Sequence, residues 1–199
     1  MKTALIFIVI IITIIVIIQT YIAMASTKSE TQSYQVIRSE KDFEIRNYPP
    51  ATMATISSKA STYKELGNSG FRKLAGFIFG GNSSEKQIAM TTPVHMNIND
   101  SASTMSFVMP LEYNESNLPK PKNSEVIIST TTNEYVAAIS FGGYASDADI
   151  KQNSEKLEKA LEKASITYYG HFRFLGYNAP FQLFNRKNEI IISVNWPPK

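Results

Sequence analysis

Apolar positions form one unbroken run at the start of the chain and regular repeats further on. Residues 4–25 contain no charged side chain, and this length is enough to cross a bilayer as a helix. Such a helix would have no polar face, which a helix on the surface of a soluble core requires. The run therefore predicts an export segment that is helical and makes few contacts with the rest of the chain.

Two kinds of export segment fit this run. Lys2 supplies a basic start, and Ala23, Met24 and Ala25 form a small-x-small motif, so a signal peptide would be cleaved after Ala25. The same run fits an uncleaved N-terminal membrane anchor, and both alternatives stay open. In either case we expect the remaining chain to be exported: periplasmic, extracellular or anchored in a membrane by residues 4–25.

The first half of the remaining chain begins with strands. Residues 26–33 are polar and poor in bulky apolar groups, so we assign them to a linker. Alternation of period two then predicts strands at 34–38, 43–48 and 51–57, of which the first two form a hairpin.

A helix follows these strands. Thr62 with Glu65 three residues later predicts its start, and the Gly-Gly-Asn sequence at 80–82 predicts its end. Gly67 and Gly70 disfavour a helix interior, so we expect a break or a tight backbone contact near them. Two further strands are predicted at 88–96 and 104–109.

The second half repeats this order of elements. Strands are predicted at 125–130 and 134–144, a helix at 146–165, and the last strands at 172–177 and 189–196. The expected fold is α+β: a duplicated β-α-β unit that forms a distorted antiparallel β-barrel flanked by two α-helices. The two pseudo-twofold repeats would span about 34–110 and 125–197 within one domain, 34–199.

Charge and residue usage narrow the function classes. The 199 residues include 20 Lys and Arg against 17 Asp and Glu, a net charge of +3, which is too small for the many phosphate contacts of nucleic-acid binding. The chain has no cysteine, which excludes disulfides, thiolate catalysis, zinc fingers and iron–sulfur clusters. We therefore expect a domain stabilised by packing alone, with no nucleic-acid partner.

Signatures of catalysis are missing from the sequence. His95 and His171 are far apart, and no HExxH, GxSxG or P-loop string occurs. Glu189 opens a predicted strand, where a carboxylate is either a hydrogen-bond partner at the strand end or, as the sharper alternative, an acid in a pocket. We predict no catalytic residue, no metal site and no enzymatic activity.

Several motifs stand in order along nearly the whole exported part, and together they resemble the SOUL haem-binding protein family. They are YQVI at 34–37, FEIRNYPPA at 43–51, IAMTTPV at 88–94, FVMP at 107–110, FGGYA at 141–145, GYNAP at 176–180 and RKNE at 186–189. The resemblance implies two β-α-β-β-type repeats in a distorted barrel with two helices. It also implies kinship with small-molecule effector-binding domains of the gyrase-inhibitor type.

The resemblance implies a function as well. We expect non-catalytic binding of haem or another tetrapyrrole in a shallow hydrophobic groove, for sequestration or delivery outside the cytoplasm. The membrane would be a second partner, through the N-terminal segment, if that segment is not cleaved. One alternative is a SOUL-fold domain that binds another small hydrophobic ligand or a protein partner; another is an enzyme that acts on such ligands.

The resemblance places the cofactor-binding residues on the first helix of the domain and near the last hairpin. Phe71 and Ala75 would supply the apolar contact, and Arg72 would pair with a propionate. The full expected set is Asn68, Phe71, Arg72, Ala75, Gly76 and Gln182, of which Asn68, Gly76 and Gln182 are neutral where relatives carry basic groups.

Axial ligation of a haem iron is not indicated. His95 and Met96 are neighbours on a predicted strand, so their side chains point to opposite faces and cannot ligate one iron together. We interpret His95 and His171 as surface or strand-edge residues. The expected haem is therefore weakly coordinated or not coordinated.

Overall fold

A computed structural model describes residues 2–27, 29–99 and 102–197. The described helices are α1 (Lys2–Thr27), α2 (Tyr63–Ile78) and α3 (Asp147–Lys163). The described strands are β1 (Glu30–Thr31), β2 (Gln35–Ser39), β3 (Glu44–Tyr48), β4 (Thr52–Ser58), β5 (Thr91–Thr92), β6 (Val94–Asn97), β7 (Ser103–Val108), β8 (Ile127–Thr130), β9 (Glu134–Gly142), β10 (Tyr168–Gly176) and β11 (Lys187–Val194).

Nine of these strands form one antiparallel sheet in the order β2-β3-β9-β11-β10-β6-β7-β4-β8. The α+β class is confirmed, but the expected distorted barrel is an open sheet, because β2 and β8 do not pair with each other within the described residues. These edge strands have only five and four residues and are mostly exposed.

The strand order is similar on the two sides of the β10–β6 pair. Moving outwards, β10-β11-β9 on one side corresponds to β6-β7-β4 on the other, and a helix follows the outer strand of each set along the chain. The two repeats at about 34–110 and 125–197 stay a prediction, because β3 pairs with β9 of the second stretch and β8 pairs with β4 of the first.

The apolar N-terminal run folds as α1. The large apolar side chains between Ile6 and Ile18 are 47–67% exposed. Within the described part of the chain, no helix meets the length and apolarity that crossing a membrane requires. The choice between a signal peptide and an anchor stays a prediction.

Residues 29–33 are part of the domain and not the free linker that their polarity predicted. Glu30 and Thr31 form β1, which pairs in parallel with β5, and the Glu30 carboxylate accepts a hydrogen bond from the Leu111 amide at 2.8 Å. The Gln32 amide donates to the Thr92 carbonyl at 2.7 Å. The polar groups of this segment therefore form hydrogen bonds with strand and loop backbone. Amino-acid composition alone cannot tell such groups from polar groups that are hydrated by water.

The helices begin where local chemistry predicts. The Thr62 hydroxyl accepts the Glu65 amide at 3.1 Å at the start of α2, and Ser146 and Asp149 form a reciprocal capping box at the start of α3. The tight contact expected in α2 occurs at Gly70, where a Cβ atom would lie 3.0 Å from Ile56 Cδ1.

The main core lies between the helices and one face of the sheet. Ile190 of β11 faces it with Leu74 of α2 and Leu157 of α3, all three fully buried. Ile191, the next residue along β11, points to the opposite face and joins a smaller cluster with Leu175. The two helices thus cover the same face of the sheet, and a groove lies between them.

Candidate functional site

A groove crosses the sheet between α2 and α3. It consists of two cavities of about 810 and 510 Å³ that share five lining residues and are therefore continuous. These sizes lie in the range of small-molecule sites in proteins. The shared residues are Phe71, Val94, Gly176, Asn178 and Pro180.

One wall of the groove is the exposed side of α2. Gly67, Phe71, Ala75 and Phe79 recur every four residues, so they form one row along the helix and its C-cap. The Phe71 ring is held by an edge-to-face contact with Phe107, with ring centroids 5.3 Å apart. Phe71 therefore contacts the core through Phe107 and also lines both cavities.

The floor is the central strand pair β6–β10. Phe174 lies opposite Met96, and Gly176 lies opposite Val94. Because Gly176 has no side chain, the floor is low at this point, and a Cβ atom there would lie 3.4 Å from the Phe174 ring. The groove thus passes over the middle of the sheet, where the two halves of the domain meet.

The opposite wall is built from the start of α3 and from segment 176–181 after β10. Tyr144, Asp147 and Ile150 line the larger cavity, whereas Tyr177 and Phe181 line the smaller one. The Asp147 carboxylate accepts the Tyr63 backbone N–H at 2.7 Å, which joins the N-terminal ends of the two helices. This contact fixes the width of the larger cavity at one end.

The larger cavity is rimmed mainly by positive charge. Lys64, Arg72 and Arg186 line it, against the single carboxylate of Asp147. The Arg72 Nε–H donates to the Asn68 carbonyl at 3.2 Å, so part of its guanidinium is free to meet a ligand. This rim favours a ligand that carries carboxylates.

Arg186 is the most enclosed of these cations. Its Nη1 donates to the carbonyls of Ala179 and Gln182 at 2.8 and 2.7 Å, and its guanidinium lies 4.3 Å from the centre of the Tyr144 ring. Its Nε is buried without a hydrogen-bond partner among the described residues. Arg186 therefore both shapes segment 179–182 and keeps one unused donor beside the groove.

The structure brings together half of the residues predicted to bind the cofactor. Asn68, Phe71 and Arg72 line the groove. Ala75 belongs to the same row of α2 as Phe71 but does not line either cavity, and Gly76 is exposed beside it.

Gln182, in contrast, is only 3% exposed, and its Nε2 donates to the Phe184 carbonyl at 2.8 Å, so it stabilises a loop. It lies outside the lining of both cavities. A polar side chain at this position is typical of a binding site, but the Gln182 amide forms its hydrogen bond within its own loop.

The residues that sequence reasoning missed come from the opposite wall. Tyr144, Arg186 and residues 177–180 lie in motifs that carried the family resemblance, yet those motifs give no spatial link to α2. Only the strand order places the end of β10 beside α2.

The two histidines do not line the groove. His95 was expected at a surface or edge, which is wrong: β6 lies between β10 and β7, and His95 is partly buried, with its Nε2 2.7 Å from Gln32 Oε1. Burial, with the nearby charge of Arg173, lowers its pKa to about 3. His171 is exposed, as expected, and lines a separate recess of about 350 Å³ beside α3.

Glu189 belongs to a buried ionic cluster on the opposite face of the sheet. It is fully buried, and it accepts hydrogen bonds from Arg46, Ser140 and Tyr177. Burial alone would raise the pKa of Glu189, but hydrogen bonds and charge from Arg46, with help from Tyr177 and Lys187, lower it to about 2. Glu189 is therefore a hydrogen-bond partner, as one interpretation predicted, but it lies inside a buried ionic cluster and not at an exposed strand end or in the groove.

Comparison with known proteins identifies related sequences and folds. A family model described as SOUL heme-binding protein matches residues 29–193. Human heme-binding protein 2 is 31% identical over 166 residues, covering 79% of this chain and 80% of the relative, and Xenopus laevis heme-binding protein 1 is 26% identical over 165 residues, covering 78% and 86%.

Among solved structures, the EcmrR C-terminal domain has a similar fold, with a TM-score of 0.60 and 8% identity over 81% of this chain and 98% of that one. A hydrolase from Listeria innocua has a TM-score of 0.56 and 8% identity, covering 80% and 94%. At this level of identity the likeness concerns the fold alone.

Proposed function

Because the chain belongs to the SOUL haem-binding protein family, we propose that it binds haem or a related tetrapyrrole in the groove between α2 and α3, without catalysing a reaction. The observation that carries this proposal is the continuity of the groove, which offers an apolar floor, the Phe71 ring and a positively charged rim on one surface. A flat macrocycle with two carboxylates needs the same combination.

Hydrophobic contact would supply most of the binding free energy. Burial of one macrocycle face removes a few hundred Å² of apolar area, worth several kcal/mol at about 25 cal/mol per Å². The loss of translational and rotational freedom on association costs a similar amount. We therefore expect a dissociation constant of about micromolar or weaker.

The charged rim would orient the ligand. Arg72 and Arg186 lie on different walls of the larger cavity, and each retains donors that the described protein does not use. A pair between the exposed Arg72 and a carboxylate contributes only about 0–1 kcal/mol, so Arg72 sets the direction of the propionates more than the affinity.

Coordination of the iron by histidine does not fit the donor set of the groove. Among the described lining residues there is no histidine, and the sulfur ligands are the thioethers of Met90, Met96 and Met105. Thioethers pack well in cores and are weak ligands by themselves. The bound haem would be weakly coordinated or not coordinated, which suits reversible sequestration or delivery by an exported or membrane-anchored protein.

A haem titration followed through the Soret band tests this function. Phe71→Asp should abolish binding, because it places a carboxylate in the shared part of the groove. Tyr169→Asp is the matched control, since Tyr169 is 52% exposed and lies outside both cavities. His95→Ala and His171→Ala should leave the titration nearly unchanged.

Two outcomes would contradict this proposal. A sharp low-spin spectrum that is lost in either histidine variant would show that a histidine ligates the iron. The absence of a Soret shift at haem concentrations well above micromolar would remove the haem function.

A neutral hydrophobic ligand is the second candidate, because the smaller cavity has no charged lining residue. Mass spectrometry of organic extracts from the purified protein would identify such a ligand. An enzyme would instead consume the added pigment or release its iron, which the same titration would detect as a loss of Soret absorbance with time.

A further inference from the structure

An apolar patch borders the open end of the smaller cavity. Phe79, Phe181, Leu183 and Phe184 form it, and they are 61%, 61%, 46% and 66% exposed. Phe79 and Phe181 also line the cavity, so the patch is continuous with the wall of the groove. Large apolar side chains grouped in this way on a protein surface indicate a contact with something less polar than water.

Helix α1 lies beside this patch. The Gln19 side chain accepts the Leu183 backbone N–H at 3.0 Å and donates from Nε2 to the Phe181 carbonyl at 3.4 Å. Two backbone polar groups of the patch are thus satisfied by protein and do not need water. Backbone N–H and C=O groups that enter a hydrocarbon environment must have hydrogen-bond partners within the protein, because no water is present there.

Helix α1 itself has no side suited to water. Its large apolar side chains from Ile6 to Ile18 are about half exposed in every direction around the helix, and no described part of the domain covers them. A helix that is apolar all round is stable only when it is covered on all sides. Lipid can cover such a helix without a matching protein surface, whereas a second protein copy would cover only one side.

We infer that the apolar patch and α1 dock together on a lipid surface, so that the groove opens against lipid and not against water. This inference deepens the proposed function, on which its last step rests: a hydrophobic ligand would exchange between the groove and the bilayer without crossing water. Docking itself does not depend on the identity of the ligand.

The absence of cysteine from the 199 residues permits a direct test with single labelled positions. Phe181→Cys and Phe184→Cys would each carry an environment-sensitive fluorophore in phosphatidylcholine vesicles, with nitroxide-labelled lipid as quencher. Tyr169→Cys is the matched control, because Tyr169 is 52% exposed and lies near the other end of β10, roughly 23 Å from Gly176 along the strand. We expect blue-shifted emission and several-fold stronger quenching at the two patch positions than at the control.

Three results would overturn the inference. Equal quenching at the patch and at Tyr169 would show that the patch faces water. A blue shift that lipid-borne nitroxide does not quench, and that grows with protein concentration, would show that a second copy covers the patch. An intact mass that begins at Ser26 would show that α1 is removed. The Soret titration with Phe71→Asp tests the proposed function separately, so the two failures are distinguishable.

Discussion

Arg46 and Glu189 lie 143 residues apart and are joined by two hydrogen bonds, from Nη1 to Oε2 at 2.8 Å and from Nη2 to Oε1 at 3.0 Å. The side chains are only 4% and 0% exposed, and the Tyr34 ring lies 4.2 Å from the Arg46 guanidinium carbon. The pair links β3 to β11 across the intervening β9. Tyr177 extends the link towards the groove, because its hydroxyl donates to Glu189 while the residue also contributes to the lining of the smaller cavity.

Glu189→Gln should lower the free energy of unfolding by about 3–5 kcal/mol, because it leaves the Arg46 charge buried without its counter-charge. Urea denaturation followed by circular dichroism measures this loss. Glu85→Gln is the control, since Glu85 pairs with Lys122 on the exposed surface and its removal should leave the midpoint nearly unchanged. Equal midpoints for the two variants would contradict a stabilising role for the buried pair.

The stability of the protein should fall on mild acidification because of His95. Its pKa is lowered from 6.5 to about 3 by burial and by Arg173, so only the unfolded state takes up a proton between these values. The contribution of His95 to the free energy of unfolding is therefore fully present above the pKa of the unfolded state, 6.5, and is lost as the pH falls towards 3. From pH 7.5 to 5.0 the decline due to this one group is about 2 kcal/mol.

Urea titrations of the wild type and of His95→Gln at both pH values test this prediction. Glutamine cannot be protonated and can still donate towards Gln32, so the variant should lose about 2 kcal/mol less than the wild type on acidification. The same pH dependence in both proteins would show that other groups cause it.

Two glycines of α2 should respond to alanine in opposite directions. At Gly70 a Cβ atom would lie 3.0 Å from Ile56 Cδ1 and 3.2 Å from Met105 Sδ, so Gly70→Ala should cost about 1–3 kcal/mol through overpacking. At Gly76 no atom lies within 4 Å of the added Cβ, so Gly76→Ala should stabilise by about 0.5–1 kcal/mol through helix propensity. Thermal unfolding midpoints compare the two variants, and a shift in the same direction would contradict the packing difference.

Asn68→Lys should strengthen haem binding up to about fivefold, because it adds a cation to the groove rim beside Arg72. Gln152→Lys adds the same charge at an exposed position of α3 outside both cavities and should leave the affinity unchanged. Dissociation constants from Soret titrations at low and high salt measure the effect. An equal gain in both variants would indicate a general charge effect and no contact at the rim.

Local patterns in the sequence were sufficient for the elements that local chemistry stabilises. The caps at Thr62 and Ser146 set the starts of α2 and α3, because a side-chain oxygen satisfies an amide within the same turn. Period-two alternation was enough to predict β2, β3 and β4, whereas the single strand predicted at 88–96 is divided into β5 and β6, and β10 begins at Tyr168 and not at 172. The family resemblance pointed to α2 as one wall of a binding surface, and Asn68, Phe71 and Arg72 do line the groove.

Only the tertiary structure decided how these elements meet. The open sheet, the β1–β5 pairing, the enclosure of His95 and the Arg46–Glu189 pair all depend on which strands become neighbours. Such contacts join segments far apart in sequence, and their free energy depends on burial that no local window contains. The groove has the same origin: its walls come from two helices and its floor from β6 and β10, so its shape exists only once the β10–β6 pair has formed.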